Sequence, residues 1–204
     1  MERPVKQGTG AVLLVALLAG GLGVVASLLG AGPGPLLKTE LGQRALNAAL
    51  AVAASKPPEG VTIAHRGERL APLGLAGIHD GKQIDLPGAY AGRPLIINVW
   101  ASWCAPCVKE MPELQRFAAQ QGANGVQVVG IALDDPAAVQ AFLQRVPVSY
   151  PILLDTPGPA DAGVRLGNPK GVLPYSVLVS DDGRLLKQRI GPFADGEIER
   201  WSVE

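Results

Sequence analysis

Residues 95–107 of this 204-residue chain read Leu-Ile-Ile-Asn-Val-Trp-Ala-Ser-Trp-Cys-Ala-Pro-Cys. The fold predicted below is built around them. The run at 95–100 is almost wholly apolar, as in a strand that is buried on both faces. Residues 105–121 carry apolar side chains at helical spacing and predict a helix with one buried stripe. The pattern therefore places Cys104 and Cys107, the only cysteines, where a buried strand passes into a helix.

A cysteine at the first turn of a helix is chemically reactive. The unpaired N–H groups and the partial positive charge of a helix N-terminus stabilise a thiolate, so the pKa of the thiol falls. Two intervening residues, Ala105 and Pro106, bring both sulfurs within bonding distance across one turn. We therefore expect Cys104 to attack a target disulfide and Cys107 to resolve the mixed disulfide.

Other interpretations of the two cysteines fit the sequence less well. A purely structural disulfide in so short a loop would restrict the unfolded chain little. Both histidines, His65 and His79, precede the cysteines, so a zinc or copper site lacks ligands and these histidines are expected in surface loops. Val108 stands where haem attachment requires histidine, and Ala101 stands where a peroxide-reducing cysteine requires a hydroxyl residue. A redox dithiol is the favoured interpretation.

Strand and helix patterns alternate after this motif and then give way to a hairpin. An N-terminal strand or hairpin is expected within 61–93, from β-like residues at 61–63 and a turn signal at Asp80-Gly81. The pattern predicts an α/β sheet, mostly parallel, with an antiparallel edge. The expected later elements are a strand at 126–133, a helix at 135–145, a strand at 150–154, a short helix at 161–166, a hairpin of 175–180 with 184–190, and a closing helix at 195–203.

The N-terminal part of the chain is apolar and uncharged. No charged residue occurs between Lys6 and Lys38, and residues 11–29 are long enough as a helix to cross a bilayer. The favoured interpretation is an uncleaved anchor within 1–37 that contacts the lipid bilayer through 11–29; a cleaved signal peptide is the alternative, and a buried core helix is less favoured. The leading basic residues favour a single-pass inner-membrane protein of a bacterium with its C-terminal domain in the periplasm, or a soluble periplasmic protein after cleavage.

The remaining chain divides into a linker and one domain. Residues 38–60 predict a linker, with a helix over 39–55 that Thr39 caps and a Pro-rich boundary at 56–60, and 61–204 predict the domain. With 48% hydrophobic residues the chain can form a core, which excludes global disorder. The balance of 18 basic against 18 acidic residues gives no reason to expect a nucleic-acid partner.

Residues 94–112 resemble the active-site stretch of the membrane-anchored thioredoxin-like disulfide reductases of the TlpA/ResA type, and the looser resemblance extends from about 61 to 201. It implies a thioredoxin-like fold, with a mixed central sheet flanked by helices and the TlpA-type strand-helix insertion between 126 and 155. It also implies an extracytoplasmic enzyme that reduces disulfides of client proteins, of the cytochrome c or metal-site maturation type. A membrane thiol transporter would supply electrons, and no cofactor is expected beyond the Cys104–Cys107 disulfide.

The resemblance assigns further residues to the site. Pro174 matches a proline that is cis in the family and faces the dithiol, with Leu173 before it. We therefore expect substrate binding by Trp103, Leu173 and Pro174, whereas Trp100 is expected in the core. The Ala105-Pro106 pair is expected to support the site by helping to set the reduction potential.

Asn98 and Glu110 raise the question of proton transfer. Asn98 stands six residues before Cys104, where simple thioredoxins have a buried aspartate, and an amide exchanges no proton at ordinary pH. Glu110 lies three residues after Cys107, on the same helical face, and matches an acidic position of the family. We expect Glu110 to tune the thiols and move a proton, with a solvated surface carboxylate as the alternative.

A disulfide-donating oxidase and a copper-binding assembly protein remain alternative functions.

Overall fold

A computed structural model describes residues 37–54 and 56–203 of the protein. Its elements follow the order expected from the sequence, and most ends differ from the expected ones by only a few residues. The elements are α1 (Glu40–Val52), β1 (Leu73–Gly77), β2 (Gln83–Leu86), β3 (Leu95–Trp100), α2 (Ala105–Gln120), β4 (Gln127–Leu133), α3 (Pro136–Leu143), β5 (Ile152–Asp155), α4 (Ala162–Arg165), β6 (Tyr175–Val179), β7 (Leu185–Ile190) and α5 (Glu197–Trp201).

The central sheet is mixed, with the strand order β2-β1-β5-β4-β3-β6-β7. This confirms the mixed sheet that the family resemblance implies. The expectation of a mostly parallel sheet is wrong, since only β3–β4 and β4–β5 are parallel while β1–β2, β1–β5, β3–β6 and β6–β7 are antiparallel. Alternation along the chain predicts the parallel crossovers correctly, but it does not say at which edge the outer strands return.

Two local expectations have opposite outcomes. The late hairpin forms as predicted, because β6 and β7 pair antiparallel and Gly183 in the turn has φ 85°, which a residue with a side chain rarely adopts. Residues 61–63, expected as a strand, have no regular secondary structure, and the N-terminal hairpin is instead β1–β2. In its turn Asp80 accepts a hydrogen bond from the N–H of Lys82 at 3.1 Å, as an Asx turn does.

The helix expected in the linker is present as α1. The Thr39 hydroxyl accepts a hydrogen bond from the N–H of Gly42 at 3.0 Å, which confirms Thr39 as the N-cap. A compact unit that carries the dithiol begins at Arg44 and continues to the C-terminus. The domain limits of 1–37, 38–60 and 61–204 stay a prediction.

The expectation of a single-pass inner-membrane protein is corrected. Among residues 37–54 and 56–203, no helix combines the length and the apolar character that crossing a bilayer requires. The stretch expected to span, 11–29, lies outside the described residues.

Both faces of the sheet are buried beneath apolar clusters. On one face α2 packs against the sheet through a cluster that contains Trp100, Cys107 and Met111. Trp100 has no exposed surface, which confirms its expected place in the core. On the other face Tyr175, Leu166 and Leu86 belong to the second cluster. All six residues of β3 are buried, so the dithiol helix follows a fully enclosed strand of the sheet.

We predict that Gly130→Ala destabilises the protein by about 1–3 kcal/mol, because it overpacks the sheet. A Cβ at Gly130 in β4 would lie 2.6 Å from Ile152 Cδ1 and 3.1 Å from Trp100 Nε1. Urea unfolding measures the difference. Gly122→Ala is the matched control because a Cβ there meets nothing within 4 Å, and equal stabilities of the two variants would contradict the prediction.

Candidate active site

The dithiol lies at the junction predicted from the sequence. β3 ends at Trp100, and Cys104 is the N-cap of α2 in extended conformation. The sulfurs of Cys104 and Cys107 form a disulfide, and the Cys104 sulfur also accepts a hydrogen bond from the N–H of Cys107 at 3.3 Å. Pro106 lies in the first turn, where a missing N–H costs nothing. A thiolate at Cys104 would receive the same N–H together with the positive end of the helix dipole.

Solvent reaches the two sulfur-bearing residues unequally. Cys104 is 5% exposed and Cys107 is fully buried, and the order of attack and resolution stays a prediction. Trp103, directly before Cys104, is 69% exposed. The indole therefore exposes apolar surface next to the disulfide, and the role of Trp103 in client binding stays a prediction.

The Leu173–Pro174 peptide bond is cis, as the family resemblance implies. β6 begins at the next residue, Tyr175, which pairs with Val99 of β3. This register places Pro174 beside the end of β3 that leads into the cysteine loop. The preceding Leu173 is partly buried and packs against both apolar clusters. Pro174 and the dithiol therefore both lie near the carboxyl end of β3.

Glu110 is buried rather than solvated. Its side chain is on the inner face of α2, one turn after Cys107, and only 2% of the residue is exposed. One carboxyl oxygen accepts a hydrogen bond from Asn98 Nδ2 at 2.8 Å, and the other accepts one from the N–H of Phe193 at 2.9 Å. Burial raises the pKa of Glu110 to about 7, although both hydrogen bonds and the charge of Arg189 oppose the rise. Glu110 can therefore exchange a proton near neutral pH.

Asn98 links Glu110 to the sheet. It has no exposed surface, and its Nδ2 donates to Ser176 Oγ at 3.0 Å as well as to Glu110. Its Oδ1 has no hydrogen-bond partner among the described residues. Since the Asn98 amide carries no exchangeable charge at ordinary pH, Glu110 is the titrating member of this group.

Ser102 and Asp134 form a contact that the sequence interpretation missed. Asp134 Oδ2 accepts hydrogen bonds from the Ser102 N–H at 2.9 Å and from its hydroxyl at 2.6 Å, which ties the cysteine loop to the residue after β4. Burial favours a higher pKa for Asp134, but these hydrogen bonds and one from the N–H of Asp135 hold the pKa below its usual value. The signal was available, because loops at the carboxyl ends of adjacent parallel strands meet.

No comparable sequence pattern pointed to Arg189 and Phe193, which lie near Glu110. Their place depends on the register between β6 and β7, which contains an irregularity at 178–179. A periodic pattern does not fix such a register, since an irregularity changes which residues lie opposite each other.

No cluster of metal ligands accompanies the dithiol in residues 37–54 and 56–203. There, no group of three or more His, Cys, Asp and Glu side chains is placed to hold an ion. His65 and His79 are exposed in turns, as predicted. The expectation that the enzyme needs no cofactor besides its disulfide stays a prediction.

Comparison with known proteins agrees with this geometry. The Redoxin family model matches residues 65–201. Sporulation thiol-disulfide oxidoreductase A of Bacillus subtilis is 28% identical over 129 residues, which cover 61% of this chain and 74% of the relative. Thiol-disulfide oxidoreductase ResA of Halalkalibacterium halodurans is 25% identical over 143 residues, which cover 69% and 77%.

A solved structure supports the thioredoxin-like fold. The crystal structure of a thioredoxin-related protein from Neisseria meningitidis serogroup B is 34% identical and superposes with a TM-score of 0.55. The match covers 62% of this chain and 93% of that structure. The thioredoxin-like fold expected from residues 94–112 is thereby confirmed.

The buried carboxyl predicts a pH-dependent stability. The unfolded chain ionises Glu110 near its ordinary pKa of 4.5, whereas the folded protein holds the proton until about pH 7. The stability that this proton binding provides is complete below the unfolded pKa and is lost as pH rises through 7. Glu110→Gln does not titrate, so from about pH 5 to about pH 8 its stability relative to the wild type should rise, by at most about 3 kcal/mol.

Urea unfolding of the oxidised proteins at several pH values tests this expectation. Glu113→Gln is the matched control one turn further along α2, because hydrogen bonding to Arg116 lowers the pKa of Glu113, and its titration falls below this range. The control should therefore differ from the wild type by a constant amount. A difference for Glu110→Gln that is equally constant would contradict the assignment.

Proposed function

Because this chain belongs to the Redoxin family and is a ResA-like thiol-disulfide oxidoreductase, we propose that it works outside the cytoplasm as a reductant of disulfides in client proteins. The observation that carries the proposal is the position of Cys104 at the N-cap of α2. There its sulfur accepts a hydrogen bond from the N–H of the fully buried Cys107. This geometry supports a division of roles in which clients react with Cys104 and the buried Cys107 reacts with Cys104.

The reaction proceeds in two exchanges that conserve sulfur bonds and electrons. The Cys104 thiolate attacks one sulfur of the client disulfide, a mixed disulfide forms, and the other client sulfur leaves as a thiolate. Cys107, as a thiolate, then attacks the Cys104 sulfur, which forms the intramolecular disulfide and releases the second client thiolate. The client has gained two electrons, and the enzyme disulfide must be reduced by a dithiol donor, for which we propose a membrane thiol transporter.

The second exchange requires that Cys107 lose its proton in a buried place. We propose Glu110 as the acceptor, because it lies one turn along the same face of α2 and burial raises its pKa to about 7. A carboxyl with this pKa can be ionised before the exchange and protonated after it. We therefore assign Glu110 the role of general base toward Cys107.

Client binding is assigned to the surface around Cys104. The exposed Trp103 indole provides apolar contact, and Leu173 and Pro174 directly precede β6, whose first residue Tyr175 pairs with Val99 near the cysteine loop. An extended client segment can pair with the backbone before Pro174 while its disulfide meets Cys104. The proposed clients are proteins of the cytochrome c or metal-site maturation type, as the resemblance of residues 94–112 implies.

Trapping identifies the clients and tests the order of attack. Cys107→Ser should accumulate disulfide-linked complexes with client proteins, because the mixed disulfide forms and then lacks its resolving sulfur. Cys104→Ser is the matched control and should trap none, since Cys107 is buried. Non-reducing gels followed by mass spectrometry measure both, and complexes with Cys104→Ser alone would reverse the assignment.

The direction of electron flow has its own test. Equilibration with glutathione buffers should give a reduction potential near about −270 mV, as for thioredoxin, which holds electrons that clients can accept. A value near about −120 mV would instead identify a disulfide-donating oxidase. The fraction of free thiol, counted by alkylation and mass, is the measured quantity.

A further inference from the structure

A row of polar side chains crosses the sheet beneath α2. Asn98 of β3 is in register with Ser176 of β6, and Ser176 is in register with Arg189 of β7. Side chains at matched positions of neighbouring strands point to the same face, and this face is the one on which Asn98 contacts Glu110. The row therefore ends in a buried cation near the carboxyl of Glu110.

Arg189 is held rigidly although it is only 3% exposed. Its two terminal nitrogens donate to the two carboxyl oxygens of Glu197 at 2.8 and 3.0 Å, and Nη2 also donates to the carbonyl of Pro192 at 2.8 Å. The guanidinium lies over the ring of Phe193, 4.7 Å from its centre. The pair of hydrogen bonds to the Glu197 carboxylate and the third bond to the Pro192 carbonyl restrict the position of this buried guanidinium.

These contacts reach Glu110 through the turn between β7 and α5. The Phe193 N–H in that turn is the donor to Glu110, and Arg189 fixes the turn at the carbonyl of Pro192 and at the Phe193 ring. Glu197 accepts the N–H of Ala194 at 2.8 Å, so the same ion pair also holds the next residue. The position of the Phe193 donor thus depends on the Arg189–Glu197 pair.

Few charged or titratable groups surround Glu110 in the part of the chain that the structure describes. From α2 itself Cys107 and Glu113 flank it one turn away on either side, and Arg189 and Glu197 approach from β7 and α5. From the segment before β5 comes Tyr150, whose pKa is raised by burial and by the charge of Glu110. Arg189 is therefore the cation that opposes the burial of the carboxylate.

We propose that Arg189 is a positioning residue for the thiol–disulfide reaction: paired with Glu197, it orients the Phe193 N–H and stabilises the carboxylate form of Glu110. This inference rests on the proposed function, in which Glu110 accepts the proton of Cys107. Arg189 does not contact the sulfurs and acts only through Glu110. The C-terminal turn and α5 thereby contribute to the chemistry of a dithiol that lies on α2.

Two variants with opposite expected signs test the proposal. Arg189→Met removes the cation and should raise the pKa of Glu110 by about one pH unit, while Glu197→Gln leaves the cation less neutralised and should lower it. The pKa is measured from the carboxyl carbon resonance of Glu110 in the oxidised protein, where the cysteines do not titrate. A merely structural role would not move the two variants in opposite directions.

The control and the activity separate this proposal from the proposed function. Arg116→Met removes an equal charge from the exposed face of α2, where Arg116 pairs with Glu113 and Glu199, and should leave the Glu110 titration unchanged. The pH profile of client reduction should shift with the measured pKa in each variant. If the wild type reduces disulfides and the pKa of Glu110 is unchanged in both variants, the role of Arg189 is overturned. Opposite shifts in a protein that reduces no disulfide support that role and refute the proposed function.

If Arg189→Met fails to fold, Glu197→Gln decides by itself. It keeps the shape of the side chain, and its amide oxygen at the Oε2 position still accepts from Arg189 Nη2 and from the N–H of Ala194, whereas the bond from Arg189 Nη1 is lost. A lower Glu110 pKa in this variant supports the proposal. An unchanged or higher pKa overturns it.

Discussion

The hydrogen bond from the N–H of Cys107 to the sulfur of Cys104 is the contact on which the rest of the site depends. It exists because Cys104 caps α2, and α2 begins there because β3 ends four residues earlier in the middle of the sheet. The parallel neighbour β4 and the antiparallel neighbour β6 hold β3 on both sides. The fold therefore supplies a rigid base from which one sulfur projects toward the surface while its partner stays enclosed.

A second constraint is the burial of an ionisable group beneath that helix. A carboxyl that loses its water becomes a weaker acid unless polar neighbours replace the solvent. Around Glu110 the replacement is partial: Asn98 and the Phe193 N–H donate to it and Arg189 attracts it, yet burial remains the larger effect. The balance leaves the pKa of Glu110 at about 7.

Some features followed from local pattern, and others did not. The strand before Cys104, the helix after it and the hairpin around Gly183 were predictable because burial periodicity and turn chemistry are properties of short segments. The residue types at 61–63 are typical of a strand, but these residues are not part of the sheet, in which β2 is an outer strand. The mostly parallel expectation failed for a related reason, since the direction of an edge strand depends on the path of the chain and not on its own residues.

The sequence by itself determined the chemistry: two cysteines one turn apart at a helix start, a glutamate on the same helical face and a proline before a late strand. Spacing along a helix is fixed by helix geometry, so these relations needed no tertiary information. Only the tertiary structure decided that Glu110 is buried, that Asn98 and Phe193 are its donors and that Arg189 is its counter-charge. Those partners come from strands and turns remote in sequence, and their proximity depends on sheet register and on the return of the C-terminal turn over α2.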